Sequence, residues 1–196
     1  MTLNHEQIAG LNVALNEATM LGAEVDTERR LAGVTLSVLT LPDEGAAPDD
    51  PRVQFLFHPV GRVAASLRLG NWNDSSAEVV PFEVGELSQI VESFKLPIYG
   101  WKFFDLDDDF DQWKDRFSVD YRLGDDGLSH SVTLFQEGPD RHLDLRIWFD
   151  SFGLQDVTGR VLEIADFIAG GKRWWDGLYS GDPRAKGLGI VPLRSR

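Results

Sequence analysis

From Phe117 to Phe149 the chain alternates apolar and polar residues in three short runs. That alternation constrains the fold more than any other feature. Gly124-Asp125-Asp126-Gly127 and Glu137-Gly138-Pro139-Asp140 are turn signals between the runs. Taken as a three-strand meander over 117–149, the runs give two consistent faces. Val119, Tyr121, Val132, Leu134, Leu143, Leu145 and Ile147 share the apolar one. Ser118, Asp120, Arg122, Ser129, Ser131, Thr133, Asp144, Arg146 and Trp148 share the polar one. Strand side chains alternate with period two, so a one-residue slip would scramble both sets.

A second hairpin is expected upstream. Val53, Phe55 and Phe57 alternate before Pro59-Val60-Gly61, and Val63, Ala65 and Leu67 alternate after it. A three-residue loop with glycine third sets Phe57 against Val63 and Phe55 against Ala65. Val34, Leu36 and Val38 read as a further strand, and Ile98 to Phe104 as a short aromatic one.

Helical signals surround these runs. Asn4 with Gln7 resembles a capping box, Ile8, Leu11, Leu15 and Ala18 follow at helical spacing, and Gly22 ends the pattern. Leu87, Ile90, Val91 and Phe94 form one stripe. Asp107 or Asp108 caps a helix bearing Phe110, Trp113 and Phe117. Val161, Ile164, Phe167 and Ile168 predict a helix that breaks at Gly170-Gly171, with a second short one through Trp174, Trp175 and Leu178. The expected architecture is α+β. A mainly antiparallel sheet of about six to seven strands is packed by N-terminal, middle and C-terminal helices, in a single domain over 1–196. Pro42 to Pro51 is an acidic loop.

Composition narrows the function classes. Hydrophobic residues make up 42% and charged residues 26%, which is globular rather than disordered composition. There is no cysteine, which excludes disulfides and thiolate metal sites. No apolar stretch approaches the roughly 20 residues that span a bilayer, and the N-terminus lacks a secretory pattern. A soluble, cytoplasmic protein is therefore expected, with no membrane partner. The net charge of −13 repels phosphate backbones and excludes nucleic acid as a partner class. A basic protein or a cation matches it.

Enzyme motifs fail on inspection. Asp105, Asp107, Asp109 and Asp111 alternate like a calcium loop, but Phe110 replaces the turn glycine and Arg116 the bidentate glutamate. Asp105, Asp107 and Asp109 stay as candidate ligands of a looser metal site. His142 beside Asp144 could act as a base on the polar face. His130 points to the core, where a histidine hydrogen-bonded to a neighbour is expected. No serine elbow occurs and no nucleotide loop is complete, since Asp166 and Arg173 replace its required glycine and hydroxyl. No catalytic residue and no cofactor are assigned.

The remaining resource is aromatic. Strand parity places Trp148 on the polar face with Arg122, Asp144 and Arg146, and a large aromatic there is either covered or used for recognition. Trp101 lies beside Asp105 in the short aromatic run. The expectation is a non-catalytic binding protein that meets a protein or small ligand through Arg122, Asp144, Arg146, Trp148 or Trp101. The alternatives are a metal-dependent or acid–base hydrolase using Asp105, Asp107 and Asp109 or His142 with Asp144, and a structural subunit of a homo-oligomer.

Overall fold

In the computed structural model, which describes residues 3–106 and 115–185, one long strand organises the sheet. The elements run α1 (His5–Leu15), β1 (Thr19–Asp26), β2 (Leu31–Ser37), β3 (Arg52–Leu69), β4 (Glu78–Val79), α2 (Leu87–Phe94), β5 (Val119–Arg122), β6 (His130–Glu137), β7 (Arg141–Asp156), β8 (Val161–Leu162) and α3 (Ile164–Ser180). The 8-stranded antiparallel sheet has the order β1-β2-β3-β7-β6. β2 pairs the first half of β3, while β5 and β4 pair its second half on the same side. β8 adds to the end of β7. The α+β architecture is the expected one, with one strand more than the upper count.

Four local expectations give way. The hairpin over Val53 to Leu67 is instead the continuous β3, which crosses the sheet with a register shift between Val60 and Arg62. Gly61 is not a turn glycine. Its N–H donates to Gly127 O at 2.9 Å, and a Cβ would lie 2.4 Å from Asp126 O. The glycine lets another loop cross the strand closely, a recognised use of strand glycines. The second change concerns the meander. β6 and β7 pair as expected, but β5 pairs β3, with Val63 opposite Tyr121. The third is α3, which runs through Gly170-Gly171 without a break. Gly22, expected to end the first helix, lies inside β1.

The capping box at Asn4 and Gln7 starts α1 as the sequence predicts. The apolar side of the alternation on β6 and β7 is core, with Val132, Leu134, Leu143, Leu145, Ile147 and Phe149 buried. They join Phe55, Phe57, Leu11, Leu15, Val91 and Phe167 in one cluster, so α1, α2 and α3 pack the same sheet face. Among the described residues no helix is long and apolar enough to cross a membrane.

Candidate functional site

The polar face of the sheet is where the sequence directs attention. Register places Arg62 opposite Trp148, Ala64 opposite Arg146, Ser66 opposite Asp144 and Arg68 opposite His142. β5 sets Arg122 beside Arg62 and Asp120 beside Ala64. Asp144, Arg146 and His142 are buried, and Trp148 is half-buried. Arg122 is exposed. Arg68 donates to Asp144 in a part-buried ion pair. Arg62 forks onto Asp120 at 2.7 and 2.8 Å, and its guanidinium also lies 4.7 Å from the Trp148 ring. Arg146 lies 5.5 Å from the same ring and donates to Leu106 O. The second half of the face is therefore a buried polar layer between guanidiniums and aromatics.

His142 and Asp144 are engaged separately. The His142 ring faces the Gly70 carbonyl at 3.2 Å. A carbonyl only accepts, so Nδ1 carries the proton. Burial pushes the pKa of this histidine below its usual value, and the nearby Arg68 charge adds to the effect. Ser66 Oγ, Arg68 Nε, Thr133 Oγ1 and His142 Nε2 are buried with no hydrogen-bond partner among the described residues. Strand parity foretold which side these groups occupy. It carries no information on whether that side is covered.

Trp101 and Asp105 belong to a segment that runs along the free edge of β6. Ile98 bridges Gln136 and Phe104 bridges Val132. Tyr99 N donates to Phe135 O at 2.9 Å, and Thr133 N to Phe103 O at 2.7 Å. Between these anchors Gly100, Trp101 and Lys102 arch away, leaving Trp101 86% exposed. Asp105 accepts from Ser131 N at 2.8 Å and contacts His130 Nδ1 at 2.8 Å. It fastens the segment to β6, and His130 has the neighbour that the sequence predicted. Asp107 and Asp109 lie outside the described residues. Among the described residues no three His, Asp or Glu side chains gather as a metal site.

A cavity of about 660 Å³ lies elsewhere. Its walls are residues 38–53, the end of β7, β8 and the first turns of α3. Leu41 N donates to Gly170 O at 3.1 Å, and Arg173 Nε to Leu41 O at 3.0 Å. A Cβ on Gly170 would stand 2.3 Å from Thr40 Oγ1 and 3.5 Å from Leu41 O, so a larger residue here would have to displace the Thr40 hydroxyl. Val38, Leu41, Val53, Leu162 and Phe167 give an apolar lining.

The charged lining is mostly self-neutralised. Arg52 forks onto Asp50 at 2.8 and 2.6 Å. Arg160 Nε donates to Asp156 at 3.0 Å. The Thr158 hydroxyl, followed by the backbone N–H groups of Arg160 and Thr158, holds the Asp156 carboxyl down at about 2. Glu163 and Asp166 also line the cavity, are exposed, and take part in no ion pair among the described residues. The sequence offered one signal for this cleft: two adjacent glycines inside a helical pattern. They read as a helix break because the crossing chain is distant in sequence.

No family model, no curated protein and no solved structure matches the chain.

Proposed function

We propose that the chain is a non-catalytic binding protein whose partner is a basic protein. The observation that carries this reading is the division of its charges. Among the described residues every ion pair joins an arginine, or His130, to an aspartate. No glutamate takes part. Arg29, Arg30, Arg52, Arg62, Arg68, Arg160 and Arg184 are thus held by aspartates of the same chain, while Glu6, Glu24, Glu28, Glu44, Glu92 and Glu163 face solvent. With a net charge of −13, such a surface steers a basic partner and repels acidic ones. The absence of cysteine suits a reducing compartment, and the cytoplasm is the proposed location.

Affinity capture on the immobilised chain tests the reading at low and moderate salt. Retained proteins should be basic, and replacing exposed glutamates by glutamine should release them. An acidic retained partner, or retention indifferent to the glutamates, would sink it.

Acid–base hydrolysis is the second reading, favoured by the His130–Asp105 contact at 2.8 Å. Asp105 orients Nδ1, which leaves Nε2 as the proton-accepting atom. Turnover of an ester or phosphoester panel that vanishes in His130→Gln would support it. No turnover by the wild type would remove it.

A further inference from the structure

We propose that the cleft between the acidic loop and α3 receives an arginine side chain from a basic peptide segment of the partner. The aliphatic stem lies on the apolar lining, and the guanidinium meets Glu163 and Asp166. The inference rests on the basic-partner reading above and assigns it a place.

Four observations converge on this occupant. The cavity, at about 660 Å³, has the size of a site for a small ligand or a few side chains. Its lining joins Val38, Leu41, Val53, Leu162 and Phe167, which suits a methylene stem. Two of its carboxylates, Asp50 and Asp156, already hold Arg52 and Arg160, so those charges are balanced. Glu163 and Asp166 take part in no ion pair among the described residues, and they stand three residues apart at the start of α3. Glu163 is the extended N-cap and Asp166 the third helical residue, so both carboxylates stand at the same end of α3, on the cavity lining.

The surroundings strengthen the preference for a cation. Asp43, Glu44, Asp49 and Asp50 lie on the bordering loop and are exposed. Arg173 is the one lining guanidinium outside an ion pair among the described residues, and it is turned to the Leu41 carbonyl. An anionic ligand would meet more carboxylate than guanidinium here. A neutral apolar ligand would leave Glu163 and Asp166 uncompensated at the mouth. The wall is also preformed. Arg184 Nη1 donates to Gly45 O at 3.2 Å, and Val38 N to Pro51 O at 3.1 Å, so the loop is tied at its middle and at its base. A preformed cleft lowers the ordering cost of binding.

The test uses the full chain with two probes, hexa-arginine and acetyl-Leu-Arg-Leu-amide, followed by amide chemical shifts at low salt. Both should bind, with shifts concentrated in residues 38–53 and 156–173. Replacing the peptide's arginine by citrulline keeps its shape and removes its charge, and should weaken the tripeptide's binding at least as much as substituting the two carboxylates. Glu163→Gln with Asp166→Asn should weaken binding about fivefold, the scale of two part-exposed ion pairs. Gln89→Ala, at an exposed position of α2 away from the cleft, should leave it unchanged.

The failures separate. If hexa-arginine binds but its shifts map elsewhere, and the Glu163/Asp166 variant binds equally well, the cleft assignment is overturned and the basic-partner reading stands. If the citrulline peptide binds as tightly as the arginine peptide, the cleft is an apolar site and the assignment is overturned too. If hexa-arginine does not bind at low salt, the basic-partner reading falls and takes this inference with it.

Discussion

Arg68 of β3 and Asp144 of β7 form an ion pair on the polar face of the sheet, with side chains only 13% and 12% exposed. Ser66 stands directly opposite Asp144, and His142 opposite Arg68. Removing one member of such a pair leaves the other charge desolvated. Asp144→Ala should therefore destabilise the protein by about 3–5 kcal/mol. Replacing both members by apolar residues of similar size, Arg68→Met with Asp144→Leu, should recover much of that loss, because neither charge is then buried. Urea denaturation of the two single variants and the double variant checks this. A loss below about 1 kcal/mol in Asp144→Ala would mean that the pair is solvated.

His142 sets an acid-side limit on stability. Burial, then the Arg68 charge, lower its folded pKa below the unfolded value, while the bond to the Gly70 carbonyl works the other way and Arg116 adds a small push down. At pH above the unfolded value of about 6.5 the ring is neutral in both states, and the full stability is present. As the pH falls through that value, the unfolded chain binds a proton that the folded chain refuses. Stability must then decline. Denaturation midpoints from pH 8 to pH 5 should fall more steeply for the wild type than for His142→Gln, which cannot titrate. Parallel curves would show that the ring charges freely in the fold.

Two glycines give opposite expectations for one substitution. A Cβ on Gly171 of α3 would stand 2.6 Å from both Cα and Cβ of Ala14 on α1, so backbone must move. Alanine's helix propensity gains about 1 kcal/mol at such a site, and the overpacking loses about 1–3 kcal/mol. Gly171→Ala should come out destabilised or near neutral, never stabilised by the full propensity. Gly153 on β7 has nothing within 4 Å of a Cβ position, and its φ is not positive. Gly153→Ala should stabilise by about 0.4–1 kcal/mol by restricting the unfolded chain. Thermal unfolding of both variants, with circular dichroism to confirm the fold, decides the pair.

Local patterns were readable in the sequence, and close crossings by distant segments were not. Alternation on β6 and β7 fixed register and face, because one side of those strands is core and a slip would expose it. The capping box fixed the start of α1, because it is a local hydrogen-bond pattern. Gly61, Gly170 and Gly171 were misleading, because each permits a close crossing by a chain segment distant in sequence, and locally that is indistinguishable from a turn or a break. β5 was misassigned for a related reason. Its alternation says which residues face in, and nothing about which strand lies alongside. The candidate site shows the same limit. Parity placed Asp144, Arg146 and Trp148 on the polar side correctly, while the cleft at Glu163 and Asp166 needs residues 38–53 and 156–173 brought together. No local pattern reports that.

Trp101 and Trp174 separate an aromatic available to a partner from one held by the fold. Trp174 of α3 is 5% exposed and packs with Leu39, Leu41 and Ala185. Its removal should cost about 3–5 kcal/mol, the range for a large core aromatic replaced by alanine. Trp101 is 86% exposed, and its segment is fastened to β6 by backbone bonds on either side that do not involve the indole. Trp101→Ala should change stability by no more than about 0.5 kcal/mol. Equilibrium denaturation of both variants in the same buffer makes the comparison. A loss in Trp101→Ala approaching that of Trp174→Ala would mean that the indole packs against the protein in solution, and its candidacy as a recognition residue would end there.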